Sequence, residues 1–231
     1  MRSMTTCASA AIFDLDGVLL DTEPLYTEAT QTVLARYGKR YEPEHKRFVM
    51  GRSPLEGARW LVEYLGLPIS AEQYLDERAG HLEQLFAICP CIPGAQALVT
   101  SLSSRGIRLA LATSSERTLY ELKVEKHAWF DAFEYVVCGD DPRLSRAKPA
   151  PDIFLLAGSA LKVEPRECIV FEDSAAGVQA GVAAGMRVIA RPQPPITAAD
   201  VAQAHLVVSR YEELDLDRLF GGLLSLPRCD Q

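Results

Sequence analysis

No stretch of this 231-residue chain approaches the roughly 20 consecutive apolar positions of a membrane span. Its opening, MRSMTTCASA, carries one arginine and no apolar core, so it reads as neither a signal peptide nor an anchor. Positive charge is also short: 24 Lys and Arg against 31 Asp and Glu leave a net charge of -7. That balance argues against nucleic acid or an anionic membrane as the main partner. Cysteine is thinly spread, at Cys7, Cys89, Cys91, Cys138, Cys168 and Cys229, in a chain large enough to fold without covalent staples, so free thiols are expected. Cys89-Pro90-Cys91 is the one close pair, and it lacks a second Cys/His pair at zinc spacing. Internal repeats and low-complexity tracts are missing as well. A soluble, cytoplasmic, monomeric protein is the expectation, with 48% hydrophobic residues to build the cores of two unequal domains.

From Pro24 to Ala87 the pattern is almost wholly helical. Leu25, Ala29, Val33 and Leu34 recur at helical spacing before Gly38, and Leu55, Ala58, Leu61, Val62 and Leu65 repeat the period up to Gly66. A third helix is expected over Ser70–Phe86, opened by a capping box of Ser70 and Gln73. Beyond Pro93 short strand-like runs alternate with helices. The strands are expected at Ile107–Ala112, Tyr135–Cys138, Cys168–Phe171, Val188–Ala190 and Leu206–Val208. Such alternation implies an α/β fold, a Rossmann-like parallel sheet covered on both faces. The first strand, near Ala10–Leu15, belongs to that sheet, so the helical section is an insertion. The expected division is residues 1–22 with 91–231 as the α/β core and 23–90 as a helical cap.

In open α/β sheets ligands bind beyond the carboxyl ends of the strands. The first strand ends in Asp14-Leu15-Asp16-Gly17, and a period of two puts both aspartates on one side. Two like charges about 4 Å apart repel by roughly 4 kcal/mol at an effective dielectric near 20, so the pair calls for a proton, a cation or a reaction. The next strand ends in Thr113-Ser114-Ser115 and a later one in Glu172-Asp173-Ser174. Between them lies a loop with Lys148 in Ala147-Lys148-Pro149-Ala150-Pro151-Asp152. Singly, each has an ordinary structural reading: turn or cap aspartates, a helix-capping Thr-Ser-Ser, a solvated loop lysine. Gly177, Gly181 and Gly185 read as close-packing positions, and Asp152 as a helix cap.

Strand-DxDGxLxDT, strand-TSS, a KPxPDIF loop and strand-EDSxxGxxAGxxAG, in that order, resemble the haloacid dehalogenase superfamily. Within it the chain resembles the Mg²⁺-dependent phosphatases with a helical cap inserted after the first motif, and the likeness runs over nearly the whole chain. Wording such as Arg36-Tyr37-Gly38-Lys39-Arg40-Tyr41 and Gly139-Asp140-Asp141-Pro142 is similar to the pseudouridine-5'-phosphatase-like branch. The resemblance implies that a small phosphorylated metabolite is hydrolysed, with Asp14 as nucleophile and Asp16 as the acid and base. A carboxylate attacking phosphorus divides one hard displacement into two easier ones. It further implies Mg²⁺ held by Asp14, the Asp16 carbonyl and Asp173, with Glu172 close by. Lys148, the Thr113 hydroxyl and the backbone from Ser114 onward would meet the phosphoryl oxygens.

Dehalogenases of the superfamily lack the second aspartate, and Asp16 is present. The β-phosphoglucomutase branch shares the cap and the four motifs and is the alternative reaction. Where that branch carries a histidine shortly after the first motif, this chain has Tyr26, which favours water as the final acceptor. A non-catalytic binding or regulatory protein is the alternative of another class, and loss of a motif carboxylate or of Lys148 would mark it; none is lost. Arg52, in the interhelix loop Met50-Gly51-Arg52-Ser53 of the cap, is the candidate for contact with the leaving group. A sugar, nucleoside or polyol phosphate is open as substrate.

Overall fold

Six strands form where the apolar runs fall: β1 Ala10–Phe13, β2 Arg108–Ala112, β3 Tyr135–Val137, β4 Cys168–Glu172, β5 Arg187–Ala190 and β6 Leu206–Val207. This is seen in a computed structural model that describes residues 8–49 and 54–221. The strands make one parallel sheet in the order β3-β2-β1-β4-β5-β6. Ala10 lies opposite Arg108 on one side and Cys168 on the other, and Phe13 opposite Leu111 and Phe171. β1 and β4 are buried at every position, which explains why they read as unbroken apolar runs rather than alternating ones. β6 is two residues long with Leu206 and Val207 exposed, a short edge that offers little to a foreign strand.

The chain divides into two compact units. Of the described residues, one unit comprises those up to Leu20 and from Cys91 onward; the other lies within Asp21–Pro90. The second unit holds α1 Glu23–Ala35, α2 Pro43–Val49, α3 Pro54–Leu65 and α4 Ala71–Phe86. Its core joins Val33 and Leu34 of α1, Ala58 and Leu61 of α3, and Tyr74 of α4. The capping box at α4 is formed: the Gln73 N–H donates to Ser70 Oγ at 3.1 Å, and the Ser70 N–H to Gln73 Oε1 at 2.9 Å. The sequence reading finds three helices here, and the described residues of the unit form four. α2 escapes it because His45 is its sole buried residue, so no apolar stripe marks it. It is held by polar contacts, the Glu42 N–H donating to His45 Nδ1 at 2.9 Å and Lys46 pairing with Glu23 at 2.8 Å, and by Phe48 stacking on Trp60 at 3.8 Å between ring centroids. Arg52 lies outside the described residues.

In the α/β unit the sheet is flanked by α5 Ala95–Ser104, α6 Arg117–Val124, α7 Asp152–Ala160, α8 Ala175–Ala183 and α9 Leu216–Phe220. Phe154 and Ala157 of α7 and Val178 and Ala180 of α8 pack with Ile12 and Val170. Phe13 stacks on its register neighbour Phe171 at 4.3 Å between ring centroids, with Phe133 and Tyr211 edge-on to the stack. No helix among the described residues is long and apolar enough to cross a membrane.

Candidate active site

β1 is where the strand order reverses, since β2 and β3 extend to one side of it and β4 to β6 to the other. The crevice at such a switch point opens beyond the carboxyl ends of the strands. Asp14 follows β1 directly, its N–H donating to Phe171 O at 3.0 Å, while Glu172 ends β4 and Asp173 follows it. The expected strand to Leu15 is two residues too long. At Asp14 the chain leaves the sheet and folds into a tight turn, with the Leu19 and Leu20 N–H groups donating to Leu15 O and the Gly17 N–H to Leu20 O. The turn therefore sets the directions of Asp14 and Asp16, not a shared pleat. Gly17 is required twice over: its φ is +76°, and a Cβ there would lie 2.0 Å from Asp173 Oδ2.

Lys148 is the cation at the centre. Its Nζ, almost wholly buried, donates to Asp14 Oδ1 at 2.5 Å, to Glu172 Oε1 at 2.7 Å and to Ala112 O at 3.2 Å. Burial works against its charge, but the two carboxylates outweigh burial and raise its pKa, so the ammonium persists. Glu172 is saturated: its other oxygen accepts the Asp173 and Ser174 N–H groups, both at 3.0 Å, and the Ser174 hydroxyl at 2.9 Å. Gly177 allows this, because a Cβ there would stand 1.8 Å from Glu172 Oε1. Its neighbour Gly181 is a packing position against Val188, whereas Gly185, at φ +73°, follows the C-cap of α8, and a Cβ there would meet Pro165 Cβ at 4.0 Å. Asp152 does not cap α7. Pro151 holds the cap position, and Asp152 pairs with Arg146 at 2.9 Å.

The second motif supplies Thr113, fully buried, whose hydroxyl oxygen accepts the Ser115 N–H at 3.0 Å; Ser114 beside it is exposed. That bond fixes the loop between β2 and α6. The Asp16 carboxylate is taken up by two residues that sequence reasoning did not single out as site residues. Lys123 Nζ donates to Asp16 Oδ1 at 2.6 Å, and the Ser115 hydroxyl donates to Asp16 Oδ2 at 2.9 Å. The signal for Lys123 was a lysine three residues after Tyr120 on the inward face of α6, where both are buried.

Burial is the main cause that lifts the Asp14 carboxyl to about 7; Lys148 opposes the rise, and Glu172 and Asp16 add to it. Burial, then Glu172 and Asp14, likewise push Asp173 well above the usual carboxylate range. Negative charge is thus in excess at this end of the sheet. A small hard cation with oxygen ligands fits such a donor set, and Mg²⁺ is suited to it. Asp14, Asp173 and the Asp16 carbonyl are the groups that would hold it. Glu172 already spends its oxygens on Lys148 and the backbone. Among the described residues no three His, Cys, Asp or Glu side chains converge as a metal centre. A set of two carboxylates and one main-chain carbonyl does not call for three.

The chain belongs to the haloacid dehalogenase-like hydrolase family, whose model matches residues 8–185. It is 40% identical over 213 residues to the Drosophila melanogaster protein named "Probable pseudouridine-5'-phosphatase", covering 90% of each chain. It is 41% identical over 189 residues to (DL)-glycerol-3-phosphatase 2 of Arabidopsis thaliana, covering 79% of each. Among solved structures, a HAD family hydrolase from Deinococcus radiodurans R1, with bound phosphate and sodium, superposes with a TM-score of 0.78 at 27% identity. That match covers 95% of this chain and 99% of the other.

Proposed function

We propose that this hydrolase is a Mg²⁺-dependent phosphatase that cleaves monoesters of a small phosphorylated metabolite by way of a phosphorylated Asp14. The observation that carries the reading is the buried Asp14 carboxylate held by Lys148 at 2.5 Å beyond the end of β1, with Asp16 two residues on. An Asp14 oxygen bonds to phosphorus while the bond from phosphorus to the ester oxygen breaks, and Asp16 gives its proton to the departing alkoxide. Water then attacks phosphorus, Asp16 takes a proton from it, and the bond from phosphorus to Asp14 breaks, releasing inorganic phosphate. Lys148, Thr113 and Ser114 hold the phosphoryl oxygens through both steps. Mg²⁺, when bound, supplies positive charge against the carboxylates and the incoming phosphoryl oxygens.

Choice of leaving group is assigned to the helical cap, residues 23–90. Tyr26, in place of a histidine, supports water as the acceptor. The net charge of -7 supports a metabolite rather than nucleic acid as partner. The free thiols of Cys91, Cys138 and Cys168 agree with a cytoplasmic setting, and the working form is a monomer. The names of the relatives put pseudouridine 5'-phosphate and glycerol 3-phosphate first among substrates to try. The test is phosphate release from a panel of phosphorylated metabolites with and without Mg²⁺, for the wild type and Asp14→Asn. Hydrolysis that needs Mg²⁺ and vanishes in a folded Asp14→Asn is expected. A variant retaining a tenth of the activity would remove Asp14 as nucleophile.

A further inference from the structure

Lys123 carries an ammonium group with a fully buried side chain, 0% exposed, on a helix that contributes no motif residue. A buried charge survives only when paired and hydrogen-bonded, and the long lysine stem gives up rotamer freedom to reach such a site. Here Nζ donates to Asp16 Oδ1 at 2.6 Å and also to Ser115 Oγ at 2.9 Å, while Ser115 Oγ donates to Asp16 Oδ2 at 2.9 Å. The three groups close a ring that engages both oxygens of one carboxylate. Lys148, by contrast, serves Asp14 and Glu172. The site therefore has one buried lysine for each of its two leading aspartates.

We infer that Lys123, with Ser115, is a positioning residue that fixes the plane and direction of the Asp16 carboxylate, so that it meets the leaving group's oxygen while Asp14 is free to attack phosphorus. The inference rests on the phosphatase reading above. The physical reason is that Asp16 sits on a turn rather than a strand, and a carboxylate on a turn has rotamers to choose from. A proton donor must stand within hydrogen-bond reach of its acceptor in the transition state, and small displacements there are costly. Two donors arriving from the β2–α6 side select one orientation.

The experiment measures kcat/KM with Mg²⁺ across substituted phenyl phosphates, from p-nitrophenyl phosphate to phenyl phosphate, whose phenol holds its proton as tightly as tyrosine. kcat/KM reports steps up to the first irreversible one, the transfer to Asp14, where a poor leaving group needs the Asp16 proton most. Lys123→Met should lose on the order of tenfold more on phenyl than on p-nitrophenyl phosphate, steepening the leaving-group dependence. Ser115→Ala, which leaves the buried cation in place, should steepen it in the same direction by less, and it decides the matter if Lys123→Met fails to fold. Parallel losses across the series, or none, in folded variants would overturn the inference. A wild type that releases phosphate neither from this series nor from the metabolite panel would instead overturn the phosphatase reading and this inference with it.

Discussion

Replacing Gly177 by alanine tests how tightly the Glu172 carboxylate is pinned. An added Cβ would stand 1.8 Å from Oε1, 1.9 Å from Cδ and 2.3 Å from Oε2 of Glu172, so that carboxylate must move. A free glutamate would swing aside at little cost. This one is held by Lys148 at 2.7 Å, by two backbone N–H groups at 3.0 Å and by the Ser174 hydroxyl at 2.9 Å, with its side chain fully buried. Alanine in a helix gains about 1 kcal/mol over glycine, whereas breaking a buried ion pair costs about 3–5 kcal/mol, leaving about 2–4 kcal/mol of net destabilisation. At about 2–4 °C per kcal/mol for a chain of this size, Tm should fall by about 4–16 °C. Because Lys148 would lose one of its two anionic anchors, kcat/KM should fall at least about tenfold, or 1.4 kcal/mol. Gly181→Ala is the control. Its Cβ meets Val188 Cγ2 at 2.7 Å and no site residue, so it should cost about 1–3 kcal/mol of stability through overpacking while activity is kept. A Gly177→Ala variant with unchanged or raised Tm and full activity would refute the argument.

Three further outcomes are expected. Given β-glucose 1-phosphate and a bisphosphate primer, the enzyme should release inorganic phosphate and form little glucose 6-phosphate; efficient isomerisation without phosphate release would make it a mutase. The carboxyl of Asp14 titrates at about 7 in the folded chain against 3.8 when free, so between those values the folded state keeps a proton the unfolded state has lost. Metal-free protein should therefore lose stability as pH rises through that window, and the gain in Tm on adding Mg²⁺ should be larger at pH 8 than at pH 5.5; an equal gain at both would contradict the site. Burial pushes the Cys138 and Cys168 thiols up to about 11, so iodoacetamide at pH 8, followed by peptide mapping, should leave both unmodified until the protein unfolds. Rapid native labelling of either would show that it is more open than its surroundings indicate.

The parallel sheet was legible because its central strands β1 and β4 are buried on both faces, so each announces itself as a local apolar run, and because charged and hydroxyl side chains collect just beyond strand ends. Asp14, Thr113, Lys148, Glu172 and Asp173 could be picked out without knowing a single distance. Other features depend on information that is not local. α2 carries too few buried residues to show a period. The turn after Phe13 depends on Asp173, a residue far along the chain, whose carboxylate fills the space a side chain at Gly17 would need. Lys123 differs from a helix-surface lysine only in following Tyr120 at helical spacing, and its partner Asp16 shows only once α6 is docked. Asp152 has the residue type of a cap, but Pro151 already occupies that place and Arg146 offers a charge.

The pairing of β1 has a consequence for the order of events during synthesis. This strand emerges from the ribosome before either of its neighbours, which begin only at Arg108 and Cys168, so it waits through a long stretch of synthesis for each of its ladders. Between β1 and β2 comes Asp21–Pro90, which carries a hydrophobic core of its own and can settle as soon as it is exposed. Its two ends are joined by the Asp21 N–H donating to Pro90 O at 2.8 Å. Once that clasp forms, the long loop separating β1 from β2 is closed, and the entropy of bringing the two strands together has largely been met in advance. The insertion that separates the first strand from its partners in sequence thus shortens its search for them in space.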